Sequence, residues 1–169
     1  MTALTSGALV SVREAAVQAF ITAVTTGSTA YHTATGATVT VRRQWELDVP
    51  TDTCPFVNVA EGAEAEEILW VGLRTFVLTM SVEGILVAPA LADAVGMPRA
   101  VQDAGALREY IISAVLSDVT LGGAALDVRL AAESAPPLLM IDGERPTAGF
   151  VRDFEVWFAT TETSRFTPA

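Results

Sequence analysis

Scarce residue types limit what this chain can do before any motif is considered. The sequence contains no lysine, and its ten arginines are outnumbered by 20 acidic residues, which gives a formal net charge of −10. Proteins that bind nucleic acid through its phosphates need a basic surplus, so this composition argues against nucleic-acid binding. The single cysteine, Cys54, rules out an internal disulfide and a cysteine-based zinc site, and it favours a reducing, intracellular origin.

Long hydrophobic runs are also missing, although 51% of the residues are hydrophobic and the mean hydropathy is +0.43. The most apolar stretch, residues 68–95, is interrupted by Arg74, Glu83, Pro89 and Asp93. No uninterrupted span reaches the roughly 20 residues that cross a bilayer. The amino-terminal sequence "MTALTSGALV" lacks the basic region of a secretory signal. Association with other protein chains is therefore the favoured use of the apolar surplus.

The length of 169 residues predicts one domain, residues 1–169, with residues 1–10 and 162–169 as flexible tails. Apolar periodicity predicts helices over 12–24 and 106–117. Alternating patterns predict strands over 38–47, 56–62, 73–87, 125–131 and 150–160, and a short strand within 136–149. Because strands follow one another with few crossover helices, we expect an α+β fold: an antiparallel β-sheet with helices packed on one face.

Two strands have a predicted orientation. In the strand over 73–87, the core-facing residues are Phe76, Leu78, Met80 and Val82, and the water-facing residues are Thr75, Thr79, Ser81 and Glu83. The second strand follows the joint "LGG", where Gly122 and Gly123 permit the positive φ angles that end a helix and reverse the chain. Its predicted dry face consists of Leu126, Val128 and Leu130.

No group of residues in the sequence predicts catalysis, cofactor binding or metal binding. His32 lies in a threonine-rich loop over 25–36 without a neighbouring carboxylate, so we interpret it as a solvent-exposed residue. Cys54 precedes a proline and is interpreted as a small buried hydrophobe. The segment "EGAEAEE" over 61–67 lacks EF-hand spacing, so a solvated acidic connector is favoured over a metal site.

Six segments follow one another along the chain: "VREAAVQAFITAV", "PFVNVAEGAE", "RTFVLTMSVEGIL", "ALREYIISAVL", "LGGAALDVRL" and "FEVWFATT". In this order they resemble the tail terminator (tail completion) proteins of long-tailed bacteriophages and related phage-derived particles. The resemblance extends from about Val12 to Thr161. Its most specific parts are the helix–LGG–strand unit and the closing aromatic strand.

The resemblance implies a compact α+β subunit that forms a hexameric ring at the head–tail junction of a virion, assembled in the host cytoplasm. Such a ring caps the head-proximal end of the tail tube, stops tube polymerisation and joins the tail to the head-side connector or stopper protein. Genome DNA passes through its lumen without specific binding. The resemblance brings with it no catalytic residues, no cofactor, no metal and no membrane contact.

Charge complementarity between neighbouring copies suggests where a subunit contact lies. One predicted side is the strand with Arg42, Arg43 and Trp45, and the other is the acidic segment with Glu61, Glu64, Glu66 and Glu67. Arg42 and Arg43 are predicted to point to opposite faces of their strand. Since Arg43 then lies on the apolar face, it should pair with a carboxylate or lie at a subunit contact.

The polar loop over 25–36 is the predicted surface that faces the tube or the connector, because polar loops on a rigid sheet often become ordered on a partner. Its candidate contact residues are Thr26, Ser28, Tyr31, His32 and Thr35.

Two alternatives to the tail terminator stay open at the level of sequence. The first is another structural subunit of a neck or tail, such as a tube, head-closure or adaptor protein. The second is a small enzyme or ligand-binding α+β domain, which would need a concave pocket with convergent polar groups.

Overall fold

A computed structural model describes residues 11–43, 54–70, 73–87, 96–131, 139–142, 145–161 and 164–168. Two helices and seven strands occupy these ranges: α1 (Val12–Thr35), β1 (Thr40–Arg43), β2 (Phe56–Trp70), β3 (Leu73–Val87), α2 (Gly96–Leu116), β4 (Asp127–Leu130), β5 (Leu139–Asp142), β6 (Arg145–Thr161) and β7 (Ser164–Pro168). Both helices share one hydrophobic core with the sheet, which confirms the predicted α+β class.

The sheet has the order β1-β2-β3-β6-β4. Strand β3 pairs with β6 along its whole length, from Leu73↔Thr161 to Val87↔Thr147. The opposite edge of β6 is therefore shared by the short strands β5, β4 and β7. All pairs are antiparallel except β1 and β2, which run parallel. The sheet is thus mixed, and the prediction of a purely antiparallel sheet was wrong for this one pair.

The core lies between the helices and one face of β3 and β6. The predicted inward residues of β3 are all buried, at 4% exposure or less: Phe76, Leu78, Met80 and Val82. Opposite them in register, Phe154 contacts the ring of Phe20 on α1, with the ring centroids 5.3 Å apart. Thr75, predicted to face water, is instead fully buried.

Helix α1 begins as predicted, because the hydroxyl of Ser11 accepts a hydrogen bond from the backbone N–H of Glu14 at 3.1 Å. It continues well beyond the predicted end at Val24, so the predicted loop over 25–36 is wrong. Threonines that would compete with the helix for backbone groups instead donate their hydroxyls to the carbonyl four residues earlier. The helix ends where Gly36 adopts a left-handed conformation (φ 79°).

The second half of α1 is held by a close crossing with α2. A Cβ atom at Gly27 would lie 2.7 Å from Cα of Ile111, so only glycine allows the two backbones to approach this closely. Helix α2 begins at Gly96, earlier than the predicted start at 106. Pro98 is compatible with this start because the first turn has no N–H bond to lose.

The predicted acidic connector over 61–67 is part of strand β2, which runs on to Trp70. A bulge separates Glu61, opposite Met80, from Glu64, opposite Leu78. Because the bulge inserts one extra residue, both glutamates lie on the helical side of the sheet, where strict alternation would have separated them.

The glycine joint after α2 adopts the predicted positive φ angles, 69° at Gly122 and 87° at Gly123. The Asp118 carboxylate fixes the turn by accepting hydrogen bonds from the backbone N–H groups of Thr120 and Gly122, at 3.0 and 2.7 Å. The predicted dry face of β4 is only partly buried: Val128 is 2% exposed, whereas Leu126 and Leu130 are 51% and 37% exposed.

The predicted tails have different outcomes. Residues 164–168 form β7, which pairs with β6, so this part of the predicted carboxy-terminal tail was wrong. Residues 1–10, the predicted amino-terminal tail, lie outside the described residues.

Candidate interaction surfaces

An ion-pair network joins the first turn of α1 to strands β1 and β2. At its centre, the side chain of Glu61 is only 6% exposed and contacts Arg43 Nε and Arg13 Nη1, each at 2.7 Å. Arg43 also donates two hydrogen bonds to the Glu14 carboxylate, at 2.6 and 2.9 Å. Arg13 Nε binds Glu64 at 2.7 Å. The network therefore fixes the amino-terminal end of α1 to the sheet.

Hydrogen bonds within the network shift the pKa values of its members. The hydrogen bonds from Arg43, and then from Gln18, lower the pKa of Glu14 from 4.5 to about 2. The hydrogen bonds to Glu14 raise the pKa of Arg43 above its ordinary value. Both groups stay ionised across the physiological pH range, so the network is permanent in neutral solution.

Some residues predicted to form a contact between subunits instead contact each other within one subunit. Arg43 and Glu61, predicted on opposite sides of a contact between copies, bind each other inside the subunit. Of the two alternatives for Arg43, the structure shows the pairing with carboxylates. Arg42 is exposed on the other face of β1, as predicted. Trp45 lies outside the described residues.

Beyond the network, β2 forms an acidic sheet edge. Among the described residues, β1 pairs with residues 56–59 of β2, and residues 62–67 are exposed on both faces. Glu66 lies 3.6 Å from Arg74 on the neighbouring strand, and Glu67 is exposed. Charged side chains along a strand oppose pairing with another chain, so these exposed glutamates disfavour aggregation through this part of β2.

The outer face of α1 between Gln18 and Thr35 carries no formal charge, and we call it the threonine face. Each of its five exposed threonines donates its hydroxyl to the carbonyl four residues earlier, at 2.8–3.0 Å: Thr22, Thr25, Thr26, Thr29 and Thr33. Because these hydroxyl donors already have partners within the helix, a protein that covers the face leaves fewer polar groups without a hydrogen bond. The face is about 26 Å long.

The residues predicted to contact a partner from a loop lie on this helix. Thr26 and His32 are exposed and belong to the threonine face. Thr35 is exposed at the end of the helix, but it lies one turn after Tyr31 and so on the core side of α1. Ser28 and Tyr31 are only 3% and 2% exposed, and they belong to the core side of α1. They are therefore not accessible to a partner, and the prediction was wrong for these two.

Sequence reasoning missed four members of the threonine face: Thr22, Thr25, Thr29 and Thr33. A signal for them was present, because no Asp, Glu, Lys or Arg occurs between Ala15 and Val41 in a chain with a net charge of −10. Grouping residues 25–36 as a loop hid this continuous uncharged surface.

The sheet face opposite the helices, which we call the open face, is acidic among the side chains that the structure describes. By register, Glu83 of β3 and Asp153 and Glu155 of β6 all lie on it. Two arginines are described on this face: Arg129, which is bound to Asp127 at 2.6 Å, and Arg42 of β1, which lies there by register. Among the described side chains named here, four carboxylates (Glu83, Asp127, Asp153 and Glu155) outnumber the two arginines, which makes the open face attractive to cations.

Within the described ranges, no three histidine, cysteine, aspartate or glutamate side chains are arranged to hold a metal ion. In the same part of the chain, no helix combines the length and apolarity needed to span a membrane.

No protein-family model matches the chain, and no curated protein matches its sequence.

Proposed function

We propose that this chain is a structural subunit that assembles with copies of itself into a ring on the head-proximal end of a phage-type tail tube. In this role the ring stops tube polymerisation and joins the tail to the head-side connector or stopper protein. The sequence resemblance described above supports this role. So does the order of the folded elements, in which a helix, three strands and a second helix precede the LGG joint and the closing strands.

The observation that carries the proposal is the threonine face. Charged residues are depleted in the cores of protein–protein interfaces, and here a surface about 26 Å long lacks them altogether. Two grooves border the face, with volumes of about 460 Å³ beside the turn after α2 and about 490 Å³ along residues 21–33. Since each copy carries a net charge of −10, an uncharged surface is where like-charged copies approach at least electrostatic cost.

The acidic surplus supports the part of the proposal that concerns DNA. Phosphates are repelled by carboxylates, so an acidic ring offers DNA a passage without a binding site. This part of the proposal predicts no retention of duplex DNA by the assembled ring at low salt.

Native mass spectrometry and negative-stain imaging test the assembly. We expect hexameric rings, either in solution or on the ends of tail tubes to which the protein is added, and shorter tubes in its presence. The double substitution Thr26→Glu and Thr29→Glu places two charges on the threonine face and should abolish rings and capping. Gln102→Glu, at an exposed position of α2, is the control and should leave both intact.

Two results would contradict the proposal. Filaments formed by the purified chain alone would identify a tube subunit, because a terminator blocks extension. A monomer that neither binds tubes nor alters their length would exclude both tail functions.

A further inference from the structure

A hollow in the open face surrounds Gly149 of β6. Because glycine has no side chain, the face lacks a group between Thr147 and Val151, which flank Gly149 on the same strand. Ile85, the register partner of Gly149 on β3, lies on the third side. These residues line a cavity of about 220 Å³, together with Glu83.

The size of the hollow restricts its occupant. Pockets for cofactors and drug-sized ligands measure about 300–1,000 Å³, so this one is too small for such a molecule. It holds the volume of about seven waters at ~30 Å³ each, which is the scale of one large side chain. Interfaces commonly place a single aromatic or aliphatic anchor in a pocket of this kind. Since Ile85 and Val151 supply hydrocarbon walls, the matching anchor is apolar.

The charge next to the hollow restricts what flanks the anchor. Glu83 is exposed and lines the cavity, and Asp153 follows Val151 on the same face of β6. Of the two arginines described on this face, Arg129 is held by Asp127 and Arg42 lies on β1, two strands away from β3. Asn58 donates a hydrogen bond to Glu83 at 3.2 Å, which leaves the charge of that carboxylate in place. Charge complementarity across an interface therefore calls for a basic residue beside the anchor.

We propose that the hollow around Gly149 binds a protein partner through one large apolar side chain that has an arginine or lysine next to it in sequence. The partner is a chain other than this one. The inference does not rest on ring formation, because the hollow lies on the opposite side of the sheet from the threonine face.

Capped tripeptides added to the full chain test the proposal, with binding followed by the methyl NMR resonances of Ile85 and Val151. Arg-Trp-Arg should shift these resonances saturably and bind about tenfold more tightly than Arg-Ala-Arg, which lacks the anchor. It should exceed Glu-Trp-Glu by a similar factor, because this peptide reverses the flanking charge.

Variants locate the binding on the molecule. Gly149→Val fills the hollow and should lower the affinity for Arg-Trp-Arg about tenfold, and Glu83→Gln should lower it about threefold. The control Ala65→Val adds a branched side chain to the same face of β2, opposite Val77 and away from the hollow, and should not change the affinity. If Gly149→Val fails to fold, Gly149→Ala fills the hollow partially and should give a smaller loss.

Three outcomes would overturn the proposal. The first is that the three peptides bind equally, or do not bind at all up to ~10 mM. The second is that the Gly149 variants bind Arg-Trp-Arg as tightly as the unmodified chain does. The third is that the methyl resonances shift with protein concentration alone, which would make a second copy the occupant.

Discussion

The two outer surfaces of this molecule differ in charge. The threonine face of α1 carries no charge between Gln18 and Thr35, and its hydroxyls are bonded to the helix itself. The open face of the sheet displays the carboxylates of Glu83, Asp153 and Glu155. An uncharged surface can be covered by a like-charged copy, whereas an acidic surface selects a basic partner. The difference teaches that a single small fold can offer two surfaces with different partner chemistry.

The threonine face exists only while α1 packs against α2, and Gly27→Leu should disrupt that packing. A Cβ atom at this position would lie 2.7 Å from Cα of Ile111 and 2.8 Å from the carbonyl oxygen of Tyr110. Since both neighbours are backbone, we expect a loss of about 3 kcal/mol in the free energy of unfolding, measured by urea denaturation.

Gly105→Ala is the matched control for this substitution. Gly105 lies on α2 with no heavy atom within 4 Å of the position its Cβ would take. Alanine should therefore stabilise the protein by about 1 kcal/mol through helix propensity. Equal effects of the two substitutions would contradict the close crossing at Gly27.

The second prediction concerns the ion-pair network at the charged, amino-terminal end of α1. Glu61→Gln removes the buried charge between Arg13 and Arg43, and should lower the free energy of unfolding by about 2 kcal/mol. Glu67→Gln, on the exposed edge of the same strand, should change it by less than about 0.5 kcal/mol. Similar losses in both variants would show that the network has no special role.

A third prediction follows from the low pKa of Glu14. Because its pKa is about 2 in the folded protein and 4.5 ordinarily, Glu14 stabilises the fold above about pH 4.5. This contribution is lost progressively as the pH falls towards 2. Glu14→Gln should therefore be less stable than the unmodified chain at pH 7, and the gap should narrow below pH 4.5 in urea titrations. A gap that does not change with pH would contradict the pairing with Arg43.

The smallest expected effect concerns the stability contributed by the threonines of the threonine face. Thr29 is exposed, so Thr29→Ala should stabilise the isolated chain by about 0.5 kcal/mol through helix propensity. Ala34→Thr, the reverse change on the same helix, should destabilise it by a similar amount. Thermal unfolding checks both, and a loss of stability in Thr29→Ala would mean that the threonines serve folding rather than contact.

The elements that were predicted correctly have a long periodic pattern of apolar residues on the face that is buried. Strand β3 was predicted over 73–87 and forms over Leu73–Val87, because apolar residues occupy every second position from Phe76 to Val82. In β6, the alternation of Phe154, Val156 and Phe158 gave the correct inward face. In such segments local pattern and tertiary packing favour the same structure.

The second half of α1 could not be predicted because long-range contacts decide it. Threonine and glycine have weak helix propensity, and together they resemble a loop. The helix persists because Gly27 permits a close crossing with α2 and Tyr31 packs edge-on against Tyr110, with ring centroids 6.1 Å apart. Neither contact can be inferred from the residues near Gly27 in sequence.

The candidate surfaces were predictable only in part for a related reason. The place of Arg43 on an apolar strand face predicted either a carboxylate partner or a subunit contact, but not which of the two, nor which carboxylate would bind it. The bulge in β2 brings Glu61 and Glu64 to the same side, and a bulge changes the register without changing composition. Gly62 within an alternating acidic segment was the available sign.

The position of β6 at the centre of the sheet has a consequence for synthesis on the ribosome. Strand β3 keeps one long edge unpaired until residues 145–161 have emerged from the exit tunnel, since β6 alone covers that edge. Nascent chains paused before this point display a hydrophobic strand ready to pair with another chain. Early binding by a chaperone, or rapid translation of the carboxy-terminal codons, would shorten that exposure.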